Sequence, residues 1–260
     1  MNSVIEPVAA EKDSKYHFDW LYKLFLKPRQ TLHAVNQQQK NAWLVPLLVL
    51  SALALIQVLV TAPIRRNMIQ MGLTTPPDFQ YYSAEQQAQF LNAQATQTSP
   101  LFLYVFPVLF ALVSIWLSWF LLSSILHLIL TMSGSHAPSL RSYNLVGWGM
   151  LPLGLRSLVQ IIAMLATRTP INGQGLSGLL ASDVTGFAAY VAAFLGMIDL
   201  FFLWMCVLIG IGVRDFSGLN KNKVFFTSAG TLLIYMLLFA VPGFLKAILS
   251  NLTIGRYYFF

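Results

Sequence analysis

Apolar residues gather into five long runs, Ala42–Ala62, Leu101–Leu130, Tyr143–Ala166, Gly186–Val213 and Val224–Ser250, with polar stretches between them. A helix needs about 20 apolar residues to cross a bilayer, and each run reaches that length. At about 1.5 Å per residue the first run alone reaches about 31 Å. The pattern predicts an all-α fold, a polytopic membrane bundle of five transmembrane helices. Pro63 and then Arg65-Arg66 close the first span. The second is longer than a bilayer requires and should tilt or protrude. The third carries Gly147, Gly149, Pro152 and Gly154, and Pro152 removes a backbone donor, so a kink is expected there. Pro242-Gly243 falls near the end of the fifth.

The polar stretches divide the chain further. Residues 1–41 read as a cytoplasmic tail, 42–250 as the transmembrane domain, and 251–260 as an aromatic tail ending in Tyr257–Phe260. Met1–Tyr16 reads as a disordered polar segment. Asp19–Gln37 reads as one or two interfacial amphipathic helices, with Pro28 in the first turn of the second. Trp20, Tyr22, Lys23, Phe25, Lys27 and Arg29 are its candidate anchors at the headgroup boundary. The longest loop, Asn67–Ser99, is rich in amides and carries Phe79, Tyr81 and Tyr82 as candidate partner contacts. Ser83 followed by Gln86 resembles a capping box, which predicts a surface helix over Ala84–Ala95. Arg168–Asp183 forms a second external loop, and Arg214–Lys223 a short polar one.

Composition supports the membrane reading. Hydrophobic residues make up 57% of the chain and charged residues 10%, with a mean hydropathy of +0.65. Soluble domains carry about 25% charge, and a soluble fold of this composition would expose large apolar patches. The net charge of +7 does not indicate nucleic acid, because the cations flank the apolar runs and form no basic stripe. The single cysteine, Cys206, excludes an intrachain disulfide and a cysteine metal cluster. The first forty residues lack a signal-peptide core, so the N-terminus is expected to be retained. Ten Lys and Arg residues fall on the side of the N-terminal tail and five on the other. The positive-inside bias then places the N-terminus in the cytoplasm and the C-terminus outside, in a cell (plasma or inner) membrane. Asn251-Leu252-Thr253 matches a glycosylation sequon, which matters only in a eukaryotic secretory membrane.

Arg156 and Asp199 lie inside predicted spans. Each costs about 2.5–3.5 kcal/mol at a helix centre, so each should face the bundle and find a partner. Counting from the same side of the membrane, Arg156 lies about 20 Å deep and Asp199 about 21 Å, which predicts an ion pair. Gln160 shares the Arg156 face and is expected as a second hydrogen-bonding partner. Ala188, Ala192 and Gly196 form a small-residue stripe that Asp199 extends, a pattern for close helix approach. Such a pair fixes helix register, or lines a midplane cavity as in transporters. His127 reads as an interfacial hydrogen-bonder. No zinc motif, phosphate-binding loop or nucleophile elbow is present, and one intramembrane carboxylate cannot form an aspartyl dyad. No enzymatic activity and no cofactor are expected.

Several stretches together resemble the Yip family of five-pass membrane proteins. They are Leu24–Thr31 before Trp43-Leu44-Val45-Pro46, then Leu151-Pro152-Leu153, and above all Met197–Trp204 running into Gly210–Val213. The resemblance covers roughly Asp19 to Ser250 and implies a five-helix bundle with a cytoplasmic N-terminus and no catalysis. Eukaryotic relatives are associated with vesicle trafficking and small prenylated GTPases. This tail lacks their Asp-Leu-Tyr-Gly-Pro-type motif, which argues against a GTPase partner. The chain looks more like a prokaryotic member, some of which act beside export machinery. The expected function is a membrane scaffold or accessory subunit, with membrane lipids and other membrane proteins, such as a transport ATPase, as partners. The alternatives are a small-solute transporter or channel with a polar midplane site, and a lipid-binding or membrane-shaping protein.

Overall fold

A computed structural model describes residues 18–72, 75–171, 175–180 and 186–252, and at 243, 244 and 246–252 the backbone only. The polar segment expected at Met1–Tyr16, the aromatic residues Tyr257–Phe260 and Thr253 of the sequon lie outside the described residues. The chain is all-helical over the described residues. Two short helices, α1 (Asp19–Leu26) and α2 (Pro28–Gln37), precede α3 (Leu44–Gln70). A surface helix, α4 (Ala84–Gln97), leads through a π-helical turn at Leu101–Val105 into α5 (Phe106–Met132). Then come α6 (Ser139–Gly149), α7 (Leu151–Thr167), α8 (Phe187–Gly196), α9 (Leu200–Phe216) and α10 (Lys221–Leu252).

Four segments are long and apolar enough to cross a membrane: Leu44–Gln70, Leu101–Met132, Ser139–Thr167 and Lys221–Pro242. A fifth crossing exists if α8 and α9 are taken as one span, and that pair is bent by 68°. The fourth predicted span, Gly186–Val213, is therefore not one continuous helix. Only 17% of the most apolar window of Leu101–Met132 is buried within the protein. Leu109, Phe110, Val113 and Phe120 all point outward, an arrangement that water would penalise and lipid tails would not.

The other helix ends also differ from the sequence pattern. α3 runs on through Pro63, because Ala62 and Ile64 on either side of it are buried and keep the helix packed. Pro107 sits in the first turn of α5, and the wider π turn before it, closed by Phe106 N–H to Leu101 C=O, accommodates the proline ring. α6 and α7 meet at Met150, with Pro152 in the first turn of α7. In α4 both arms of the capping box form, Gln86 N–H to Ser83 Oγ at 3.2 Å and Ser83 N–H to Gln86 Oε1 at 3.0 Å.

At one end of the bundle α1 and α2 dock onto protein. Trp20 and Leu24 are buried, and Trp20 meets Trp148 edge-on at 5.6 Å. Phe25 meets Trp204 at 5.2 Å. These two aromatics were expected at the headgroup boundary and instead face the bundle, because the large apolar rings of Trp148 and Trp204 cover them. Phe18, Tyr22 and Leu26 form the outward row, Lys23 pairs with Asp19 at 2.7 Å, and Lys27 and Arg29 are exposed. α2 is tied to α9 by Asn36 Nδ2, which donates to Gly212 C=O at 3.2 Å and to Asp215 Oδ2 at 2.9 Å.

The entry to α3 depends on a buried amide. Asn144 Oδ1 accepts from Ala42 N–H at 2.9 Å and Trp43 N–H at 3.2 Å, and its Nδ2 donates to Lys40 C=O at 3.0 Å. Trp148 Nε1 donates to Ala42 C=O at 3.0 Å. Asn144→Ala leaves these backbone groups unpaired and should lower stability by about 2 kcal/mol, against about 1 kcal/mol for losing the exposed Asn220 cap of α10. Thermal unfolding of both variants in detergent measures the difference, and equal losses would show that Asn144 is not the tie.

Candidate functional site

The 68° bend between α8 and α9 falls at Met197–Asp199, and Asp199 stands at the break rather than inside a helix. Its backbone is extended, with φ −141° and ψ 177°, the conformation of an N-cap. Asp199 Oδ1 accepts from Phe202 N–H at 2.8 Å and so satisfies one of the free donors of α9. The other oxygen, Oδ2, accepts from Arg156 Nη1 at 2.9 Å. One carboxylate thus starts a helix and neutralises a cation on its neighbour. The N-terminal pole of α9 is also where the helix dipole favours a negative charge.

Arg156 comes from α7, roughly 26 Å from the Ser139 end of that span, and Asp199 lies at a similar distance from the Phe216 end of α9. The side chains are 27% and 18% exposed. Both border a cavity of about 280 Å³ that Gln160, Ile171, Gly175 and Leu200 also line. Gln160 Oε1 accepts from Gln57 Nε2 of α3 at 3.1 Å, so the polar cluster reaches a third helix.

The opposite side of the break is closed by a 3₁₀ segment, Gly175–Leu179. Leu176 N–H donates to Ile198 C=O at 3.1 Å. A Cβ on Gly175 would lie 2.7 Å from the carbonyl oxygens of both Gly196 and Ile198, and φ there is +57°. Glycine is the residue that permits both the left-handed backbone and this approach to the end of α8. The small-residue stripe does not take the expected place. Ala188 is exposed and Ala189 is the buried alanine, because the bend turns α8 toward α10, where Tyr190 Oη donates to Leu237 C=O at 2.8 Å.

Sequence reading missed the double role of Asp199, the closure by Gly175 and the part played by Gln57. The signal for the first was present: Asp is a strong N-cap residue and a poor mid-helix one. In the loop between α3 and α5, Phe79 packs on Tyr82 and Phe90, and Tyr81 remains exposed. Among the described residues, no group of three or more His, Cys, Asp or Glu side chains is placed to hold a metal ion. Chemically, the site can fix helix register or present a cation–carboxylate pair to a small polar ligand.

A double-mutant cycle over Arg156→Met and Asp199→Asn tests the pairing. Asn retains the cap, so Asp199→Asn takes the carboxylate from Arg156 and Arg156→Met takes the guanidinium from Asp199 without removing the start of α9. The expected coupling is about 1–2 kcal/mol in detergent melting, and additive losses would mean that the pair contributes nothing.

Comparison with known proteins gives one family. A family model described as the Yip1 domain matches residues 22–241. No curated protein and no solved structure matches.

Proposed function

The chain belongs to the Yip1 domain family, and on that premise we propose that this multi-pass membrane protein works as a non-catalytic scaffold or accessory subunit. The observation that supports this is the outward row of α1. Its inner row, Trp20 and Leu24, is buried in the bundle, so Phe18, Tyr22 and Leu26 are held facing away. A preformed apolar row loses little entropy when a partner covers it. Lys27 and Arg29 beside it add positive charge suited to an acidic partner surface or to headgroups. The partner class proposed is another membrane protein, such as the transport ATPase of an export system. The tail lacks the motif that would favour a small GTPase.

Purification of the full chain in mild detergent from its native membrane is expected to recover one membrane protein in stoichiometric amount. Tyr22→Glu/Leu26→Glu should remove it without lowering the melting temperature, since both positions are exposed. Recovery of the chain alone, or a partner that survives both substitutions, would reject the scaffold reading.

The cavity at Arg156 and Asp199 supports a second reading, a small-solute site at the midplane. We place the N-terminus in the cytoplasm from the ten-to-five distribution of Lys and Arg. Cysteine accessibility in intact cells, on a Cys206→Ala background, tests both. A membrane-impermeant thiol reagent should label Ala95→Cys and spare Asn222→Cys, and the reverse pattern would invert the orientation. Labelling of Gln160→Cys would support the solute site, and protection of it would remove that reading.

A further inference from the structure

The groove between α9 and α10 encloses about 440 Å³ and has an apolar wall with a basic mouth. Val207, Val224, Phe225 and Leu232 form the wall, and Arg214 and Lys221 stand at the end of the bundle that carries α1 and α2. Arg214 lies in the last turn of α9, where the helix dipole favours a cation. Lys221 is the first residue of α10, where the dipole disfavours one. Its charge therefore does not serve its own helix. Among the described residues neither cation has a carboxylate partner. The neighbouring Lys223 is turned elsewhere and donates to Ser133 C=O at 3.4 Å.

A third feature lies deeper in the same groove. Ser228 stands about 10 Å up α10 from Lys221 and lines the groove. It is 6% exposed, and its hydroxyl has no hydrogen-bond partner among the described residues. A buried polar group without a partner is costly, and the hydroxyl oxygen is covered by protein here, so rotation about χ1 toward an acceptor in the groove would be favoured. Opposite, a Cβ on Gly210 would meet nothing within 4 Å, which leaves the groove open along α9.

We propose that this groove holds one anionic phospholipid. Its phosphate lies between Arg214 and Lys221, a glycerol-ester carbonyl accepts from Ser228 Oγ, and the acyl chains follow Val207, Val224, Phe225 and Leu232. The order of chemistry along the groove, cations at the mouth, then a hydroxyl donor, then hydrocarbon, is the order of a phospholipid from phosphate to tail. A transmembrane helix of a partner would cover the wall but leave the two cations and the hydroxyl unmet. A soluble anion would satisfy the mouth and leave the wall empty. A zwitterionic lipid would bring its own cation against Arg214 and Lys221.

Native mass spectrometry of the full-length protein tests this, with phosphatidylglycerol and phosphatidylcholine supplied in equal amounts. One phosphatidylglycerol should be retained in preference to phosphatidylcholine. Arg214→Gln/Lys221→Gln should reduce that preference about thirtyfold, roughly fivefold per cation. Arg65→Gln/Arg66→Gln, with the same loss of charge at the opposite end, should leave it unchanged. Gly210→Leu, whose Cβ meets no protein atom within 4 Å, should weaken retention of both lipids. Equal retention of the two lipids by the native protein would overturn the proposal. So would an undiminished preference in Arg214→Gln/Lys221→Gln, or displacement of the bound lipid by glycerol phosphate.

Discussion

A helix that breaks within a bilayer leaves N–H and C=O groups that hydrocarbon cannot satisfy, and each one left bare costs several kcal/mol. The bend at Met197–Asp199 survives because protein groups meet it from three directions. Asp199 caps the first turn of α9, Leu176 donates to the Ile198 carbonyl, and Gly175 lies against the carbonyl end of α8. Arg156 then neutralises the capping carboxylate. Each element of the site follows from this requirement. A charged cap is a strong one, but it needs a cation at the same depth, and α7 supplies it.

α9 is held along its whole length. A Cβ on Gly212 would come within 2.0 Å of Leu145 Cδ1, and one on Gly149 within 3.2 Å of Ile209 Cγ1. Glycines at both crossings let α6 and α9 approach closely. Beyond Gly212, Asp215 receives Asn36 and lies 2.8 Å from His33 Nδ1. The charges at the two ends of α9, Asp199 and Arg214, both oppose the helix dipole. α9 is thus the element to which the N-terminal helices, the bend and the lipid groove are all attached.

Much of this was legible in the sequence. The common depth of Arg156 and Asp199 could be counted, because the rise per residue of α9 is the same whether Asp199 lies inside the helix or caps it. The bend was not legible. Gly186–Val213 is apolar throughout except for Asp199, and hydropathy averages over the one residue that ends the helix. The direction of α1 was ambiguous for a different reason. Trp20/Leu24 and Phe18/Tyr22/Leu26 are both apolar rows at helical spacing, and only packing against Trp148 and Trp204 shows which faces inward. Asn144 went unread because one amide in an apolar run announces no partner, and its partners are backbone groups about a hundred residues away.

The surface of the molecule then divides by physical demand. The flanks of α3 and α5 are apolar because a span in lipid must be, so their exposed leucines and phenylalanines carry no information about partners. The outer row of α1 is different. α1 and α2 are eight and ten residues long, too short to cross a membrane, and their inner faces already bury Trp20, Leu24, Leu32 and Val35. Burial in the bundle core therefore does not require Tyr22 and Leu26 to be apolar. Crossing the bilayer does not require it either. The partner surface proposed above would account for that row, and the docking of α1 sets the direction from which it would approach.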